Sequence, residues 1–297
     1  PRAKRNILTA SSFGVGELIA KALDLGAERI LIGCGDSGVN DGGVGIAMAL
    51  GVGFFDVDDK PLERGAKSLE QLHRIDASGL DGRLRHVQID VAVNWHNQLL
   101  GPRGVSRVYG PQKGASAKQI VTLERGLERY AAVLLETTGI DAACQPGAGA
   151  SGGIGATLAG LLGAVLHPRF EIISTYLDFD RYLRGADLVI TAEGCVDGQS
   201  ARGKIPAEIG IRARALGIPV IVLAGAIGEG AEQVLDQGVT AYASIAVGPT
   251  TLAAAIRSSE DQLAAAAEQM VRLVAASRDA GSAAGKARKA RSRRLSG

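Results

Sequence analysis

The chain has 297 residues, 46% hydrophobic and 22% charged, with a formal net charge of +2, a balance that suits one large or two ordinary globular domains and excludes a disordered or collagen-like chain. No apolar run reaches the ~20 residues of a membrane helix, so no membrane partner is expected. Three widely spaced cysteines (Cys34, Cys144, Cys195) without a C-x-x-C pair exclude a disulfide scaffold and point to a reduced, cytoplasmic compartment.

Apolar spacing predicts a helix over Gly14–Leu25 and a short buried strand over Arg29–Ile32. The first glycine-rich loop, GCGDSGVNDGGVG (33–45), then leads into a helix over Val44–Leu50 that ends at Gly51. Its G-x-G-x-x-G (Gly33, Gly35, Gly38) keeps a nicotinamide-dependent oxidoreductase open as one reading. Asn40-Asp41-Gly42-Gly43 stands before the helix, however, and the dinucleotide fingerprint has no such insertion. Ser37, Asn40 and Asp41 better suit a charged, hydroxylated ligand near a helix N-terminus.

Val87–Val93 alternates and is β-branched, which predicts a strand. Leu99–Ser116 offers Arg103 and Lys113 in stiff glycine–proline frames, as partners for a carboxylate or phosphate. A long helix is expected over Ala117–Leu135. A second loop, PGAGASGGIG (146–155), could cradle a phosphate with Gly147, Gly149, Ser151 and Gly152 at the start of an apolar helix over Gly155–Val165. The plainer alternative is a tight helix entry with no ligand.

From Leu188 the order is strand, helix, strand, helix: strands over Leu188–Thr191, Pro219–Ala224 and Ala241–Val247, helices over Pro206–Leu216 and Leu252–Ala276. That alternation predicts a parallel, Rossmann-like α/β half. G-x-x-x-x-G-K at Gly198–Lys204 is not a P-loop, because Ile205 follows where Ser or Thr would hold magnesium. Lys204 nonetheless sits at a helix edge, suited to phosphate. Glu193 and Asp197, placed past a strand end, could hold magnesium or take a hydroxyl proton; the alternative is a solvated salt bridge. Residues 281–297 carry six basic residues and no acid, which predicts a disordered tail. No aromatic-interleaved surface accompanies them, so a nucleic-acid role is not expected.

GCGDSGVNDGG keeps Gly33, Gly35, Ser37, Asn40, Asp41, Gly42 and Gly43 of the pattern G-x-G-G-S-A-T-N-D-G-G. GPQKGA (110–115), PGAGASGGIGA (146–156), EGCVDGQSARGK (193–204) and PVIVLAGAIG (219–228) follow in order. Together these segments resemble the bacterial glycerate kinase family of the two-domain type, over roughly residues 7–275. The resemblance implies an α/β architecture of two domains with parallel sheets. Residues 1–184 would form a glycine-rich substrate and phosphate domain, and 185–280 a Rossmann-like domain incomplete at its N-terminal part. The family opens with a segment bearing P-D-S-F-K-G-S and D-G-G-E-G loops, which this sequence does not contain.

The implied activity is phosphorylation of D-glycerate with ATP and Mg2+, 2-phosphoglycerate being the favoured product, in a cleft between the domains. Glycerate is the implied small-molecule partner, with self-association left open. By motif position Ser37, Asn40, Asp41 and Lys113 fall in conserved loops, as do Glu193, Asp197 and Lys204. Asp197 is assigned as proton acceptor or magnesium ligand, Glu193 as its companion, and Lys204 and Lys113 as anion partners. The sequence departs from the pattern at Asp36, at Gly38-Val39, within Asn94 to Leu99 (which loses the Asp and the Pro of the family's D-V-x-N-P-L), at Ala192 and at Ser200. Those departures keep open a catalytically impaired relative that binds a small acid or regulates a partner.

Overall fold

The computed structural model describes residues 6–35, 37–201 and 203–295, with side chains through residue 278. The chain divides into two compact units, Pro1–Tyr176 and Leu177–Gly297. The first runs α1 (Phe13–Asp24), β1 (Arg29–Gly33), α2 (Val44–Ala49), β2 (Gly53–Phe55), β3 (Arg74–Asp76), β4 (Gln88–Val93), α3 (Val105–Tyr109), α4 (Ala117–Thr138), α5 (Ala150–Gly160), β5 (Val165–Pro168) and α6 (Arg169–Tyr176). The second runs α7 (Phe179–Leu183), β6 (Val189–Val196), α8 (Ile205–Ala215), β7 (Val220–Ile227), α9 (Gln233–Asp236), β8 (Ala241–Ser244), α10 (Leu252–Arg257) and α11 (Ser259–Leu295). The division falls ahead of α7, whereas the sequence reading puts the boundary after residue 184. No helix among the described residues is long and apolar enough to cross a membrane.

In the first unit β1, β4 and β5 form a parallel sheet in that order, with Leu31 opposite Asp90 and Asp90 opposite Val165. β2 and β3 form a separate antiparallel pair. The central strand β4 is buried at every position after Gln88, as expected where helices cover both faces of a parallel sheet. Burying Asp90 there requires partners. Arg29 donates to its carboxylate at 2.9 and 3.1 Å, His167 lies at 2.8 Å, the Tyr176 hydroxyl donates at 2.9 Å and the Gln88 amide at 3.1 Å. Burial alone would raise this carboxyl; the four partners outweigh it and hold the group down at about 2.

α4 starts at a capping box formed by Ser116 and Gln119 and ends at Gly139, which is left-handed at φ 76°. Its buried Leu127, Tyr130 and Leu134 join Ile46, Val91, Val93 and Leu158 in one apolar core. In the second unit β6, β7 and β8 form a parallel sheet in that order, with Thr191 opposite Val222 and Val222 opposite Tyr242.

Several elements differ from the sequence expectation. The apolar helix stops at Gly160, and residues 165–168 form β5 instead. A four-residue strand ending in proline is tolerated here because β5 is an edge strand. β2, β3, α3, α6, α7 and α9 are too short to leave a periodic signal. β6 extends to Val196 because the low-propensity run Ala192–Cys195 pairs with β7, so Glu193 lies within the strand and not past its end. The single helix expected from Leu252 breaks at Ser258 into α10 and α11. The disordered tail expected over 281–297 falls partly on α11, whose backbone is helical to Leu295; alanine, lysine and arginine are strong helix formers.

Candidate functional site

All three strands of the first sheet end on the same side, and a cavity of about 660 Å³ lies where they end. Cys34, Gly35, Ser37 and Gly38 line it after β1, Asn94 and Asn97 after β4, and Arg169 after β5. Tyr109, Gln112, Lys113 and Ser151 line it from α3, the following loop and α5, and residues between Asn6 and Ala10 complete the wall. The carboxyl ends of parallel strands are where open α/β sheets bind ligands, since the loops there are free to vary while the strands stay rigid.

The glycines of the two rich loops divide into two kinds. A Cβ added at Gly33, Gly35 or Gly38 would meet nothing within 4 Å. These positions leave space that a ligand can fill. At Gly147 a Cβ would lie 2.5 Å from Val93 Cγ2, at Gly149 2.1 Å from the Gln98 carbonyl and at Gly152 2.1 Å from the Val39 carbonyl. The second loop's glycines therefore serve backbone packing, and the Gly42 N–H donates to the Gly152 carbonyl at 3.0 Å across that contact. Ser151, Gly152 and Gly153 all adopt left-handed backbone, Ser151 at φ 52°. A serine held there is strained, and it lines the cavity.

Lys113 joins the GPQKGA segment (110–115) to the first loop. Its ammonium donates to the Val39 carbonyl at 2.7 Å and to Ser37 Oγ at 3.1 Å. Burial pushes its pKa down to about 8, against the pull of the Asp41 charge. The contact unites two motif residues, Ser37 and Lys113, from positions far apart in the chain.

Asn40 and Asp41 face the interior instead. Asp41 Oδ2 accepts from the Ser12 N–H at 2.7 Å and the Ser12 hydroxyl at 2.9 Å, and Oδ1 accepts from the Gly43 N–H at 3.2 Å. Those bonds tie the start of α1 to the first loop. The Asn40 amide donates to Ser106 Oγ at 2.9 Å, and its Oδ1 is buried without a partner among the described residues. Both are fully buried, so neither is available to a ligand in the cavity. Arg103 is exposed and is not among the cavity residues. Asp36 and Arg202 lie outside the described residues.

In the second unit Asp197 directly follows β6, at the carboxyl end of its sheet. Its Oδ1 accepts from the N–H groups of Gln199 at 2.9 Å and Ser200 at 3.2 Å, and Lys204 Nζ stands 3.8 Å away. Burial raises this carboxyl, and the bonds and the Lys204 charge more than offset it, so its pKa is lowered. Oδ2 has no partner among the described residues. Lys204 is the N-cap of α8 and Pro206 occupies that helix's first turn, as the sequence suggests. Glu193 is half-buried in β6. Among the described residues no three histidine, cysteine, aspartate or glutamate side chains cluster as a metal cage.

Asn94, Asn97, Tyr109, Gln112 and Arg169 are among the cavity residues that sequence reasoning misses. The first two follow the end of the expected strand Val87–Val93, and Asn97 also stands on the Asn of D-V-x-N-P-L; those placements are the available signals. Arg169 gave none, because the helix expected over Gly155–Val165 left no strand expected to end beside it. The helix after the first loop begins at Val44, well beyond Gly38, which removes the dinucleotide reading.

A family model described as "Glycerate kinase family" matches residues 1–275. A glycerate kinase of Bacillus cereus is 41% identical over 89% of this chain and 69% of its own length. The glycerate 2-kinase of Escherichia coli K12 is 40% identical over 93% of this chain and 72% of its own. A crystal structure of a Salmonella typhimurium LT2 protein, assigned as a glycerate kinase 2, superposes with a TM-score of 0.79 at 38% identity. It matches 94% of this chain and 73% of the other.

Proposed function

The chain belongs to the glycerate kinase family, and from that premise we propose that it phosphorylates D-glycerate, with ATP as donor and 2-phosphoglycerate as product. The cavity of the first unit carries this reading. Its wall offers Lys113, Arg169, amides and hydroxyls, and no aspartate or glutamate among the described residues. Such a wall attracts a small acid or a phosphate and gives it many donors. Gly35 and Gly38 let backbone come close to it. Two of the three ammonium donors of Lys113 are engaged by Ser37 and Val39, which leaves one for the ligand.

Phosphoryl transfer asks a protein chiefly for positioning and charge neutralisation. With its pKa lowered, Asp197 is ionised at neutral pH and is a weak base, which favours the metal-ligand role over the proton-acceptor role. One open carboxylate oxygen fits Mg2+, which is commonly held by one or two carboxylates, water and substrate phosphates. The ion, when bound, neutralises phosphate charge. Lys204 faces the same carboxylate and would pair with phosphate.

The test is incubation with ATP, Mg2+ and D-glycerate, the product being read by an enolase-coupled assay that accepts the 2-phosphate and not the 3-phosphate. Asp197→Asn is expected to lose roughly a hundredfold or more in kcat, with the melting temperature retained. Near-normal turnover would remove Asp197 from the mechanism. Retained D-glycerate binding with no product in the unaltered chain would favour an acid-binding relative.

A further inference from the structure

Asn97 sits on the turn after β4, and three of its four polar groups are consumed by the protein. Its N–H donates to the Asn94 carbonyl at 3.0 Å, and its own carbonyl accepts from the Gly149 N–H at 3.1 Å. Its side-chain Oδ1 accepts from the Tyr109 hydroxyl at 2.9 Å. The side-chain amino group is what remains, without a partner among the described residues, on a half-buried residue that lines the cavity. A terminal amide offers two donors on nitrogen and an oxygen with two lone pairs. With Oδ1 engaged by the Tyr109 hydroxyl, the amino group is the part left free to meet a ligand, and it meets it as a donor.

We infer that Asn97 is a substrate-binding residue that donates to an oxygen of the acid substrate, and that Tyr109 is the positioning residue that sets the amide's orientation. This rests on the proposed glycerate reading of the cavity and adds the specificity element to it. Lys113 supplies charge, and a charge alone attracts any anion. A fixed neutral donor beside it selects by the position of an oxygen, and leaving it unpaired penalises analogues that lack that oxygen. Aspartate at this position would present an anionic acceptor where a donor is needed, at nearly unchanged shape.

The experiment compares the unaltered chain with Asn97→Asp and Tyr109→Phe. D-glycerate binding is measured by calorimetry without nucleotide, and KM for D-glycerate and for ATP is measured separately. Asn97→Asp is expected to weaken D-glycerate roughly tenfold or more in Kd and KM, with KM for ATP held within about twofold. Tyr109→Phe should weaken D-glycerate by a smaller factor, with the same selectivity. An unchanged Kd for D-glycerate in Asn97→Asp, or a rise confined to KM for ATP, overturns the inference. Should Asn97→Asp fail to fold, Tyr109→Phe decides, and an unchanged Kd there overturns it equally. If the unaltered chain binds D-glycerate without phosphorylating it and Asn97→Asp abolishes that binding, the inference stands and the kinase reading falls. If turnover is normal and neither variant changes Kd, the kinase reading stands and the inference falls.

Discussion

Lys113 and Asp41, from two segments of the family pattern, show how residues one pattern groups together come to serve different ends. Lys113 is held at about 8 by burial, so it is charged at neutral pH and loses its proton at a pH where an exposed lysine keeps it. An anion in the cavity needs the charged form. D-glycerate affinity should therefore be near full at pH 7 and below and fall as pH rises through about 8. In Lys113→Arg the fall should vanish, since arginine stays protonated; calorimetry from pH 6.5 to 9.5 measures this. Asp41 has another task. Its carboxylate holds Ser12 and Gly43 inside the fold, and Asp41→Ala would leave those donors buried and unpaired. A loss of about 3 kcal/mol in unfolding free energy is expected, read from urea midpoints. A loss below about 0.5 kcal/mol would mean the loop relaxes around the gap.

The glycines of the two loops differ in what a side chain there would meet, and the sheet buries a charge. Gly152→Ala places a Cβ against the Val39 carbonyl at a residue with φ 76°. It should cost at least about 2 kcal/mol, through clash and backbone strain. Gly38→Ala meets open space and should leave melting almost unchanged while raising Kd for D-glycerate or ATP. Thermal melting and calorimetry on the pair separate the packing role from the ligand role. Equal destabilisation by both would erase the distinction. The sheet carries an acid-sensitive pin at Asp90. Its folded pKa of about 2 lies below its ordinary 3.8, so its stabilisation is complete above about pH 5 and is lost as pH falls through 2. The contribution is about 2 kcal/mol, and Asp90→Asn should flatten the acid limb of stability between pH 5 and pH 2. An unchanged acid limb would show that other carboxylates govern it.

For the molecule as a whole, the rigid parts and the binding parts fall at different places. The central strands β4 and β7 are the most deeply buried of their sheets, while β6 alternates between half-buried and exposed. Amide exchange should be slowest in β4 and β7 and faster in β6. Addition of D-glycerate should slow exchange in the loops at 34–38, 94–97 and 109–113. Protection confined to the second unit would move the acid site out of this cavity.

The alternation of apolar strands and helices was legible from residue order alone, because parallel strands and amphipathic helices write their burial into local periodicity. So were the loops rich in glycine, Lys113 at its motif position and the family pattern, since each is a run of contiguous residues. Short elements were not legible: β5, α3 and α6 are too brief for a period to develop. Which side of a loop faces a ligand also lay beyond the sequence. Gly152 meets Val39, Asp41 meets Ser12, and Lys113 meets Ser37 only after segments distant in the chain pack together. Local order therefore determined the α/β architecture and the motifs. Tertiary packing decided that Asn40 and Asp41 support the loop while Asn94 and Asn97 line the cavity, because a polar side chain's partner is set by what is folded against it.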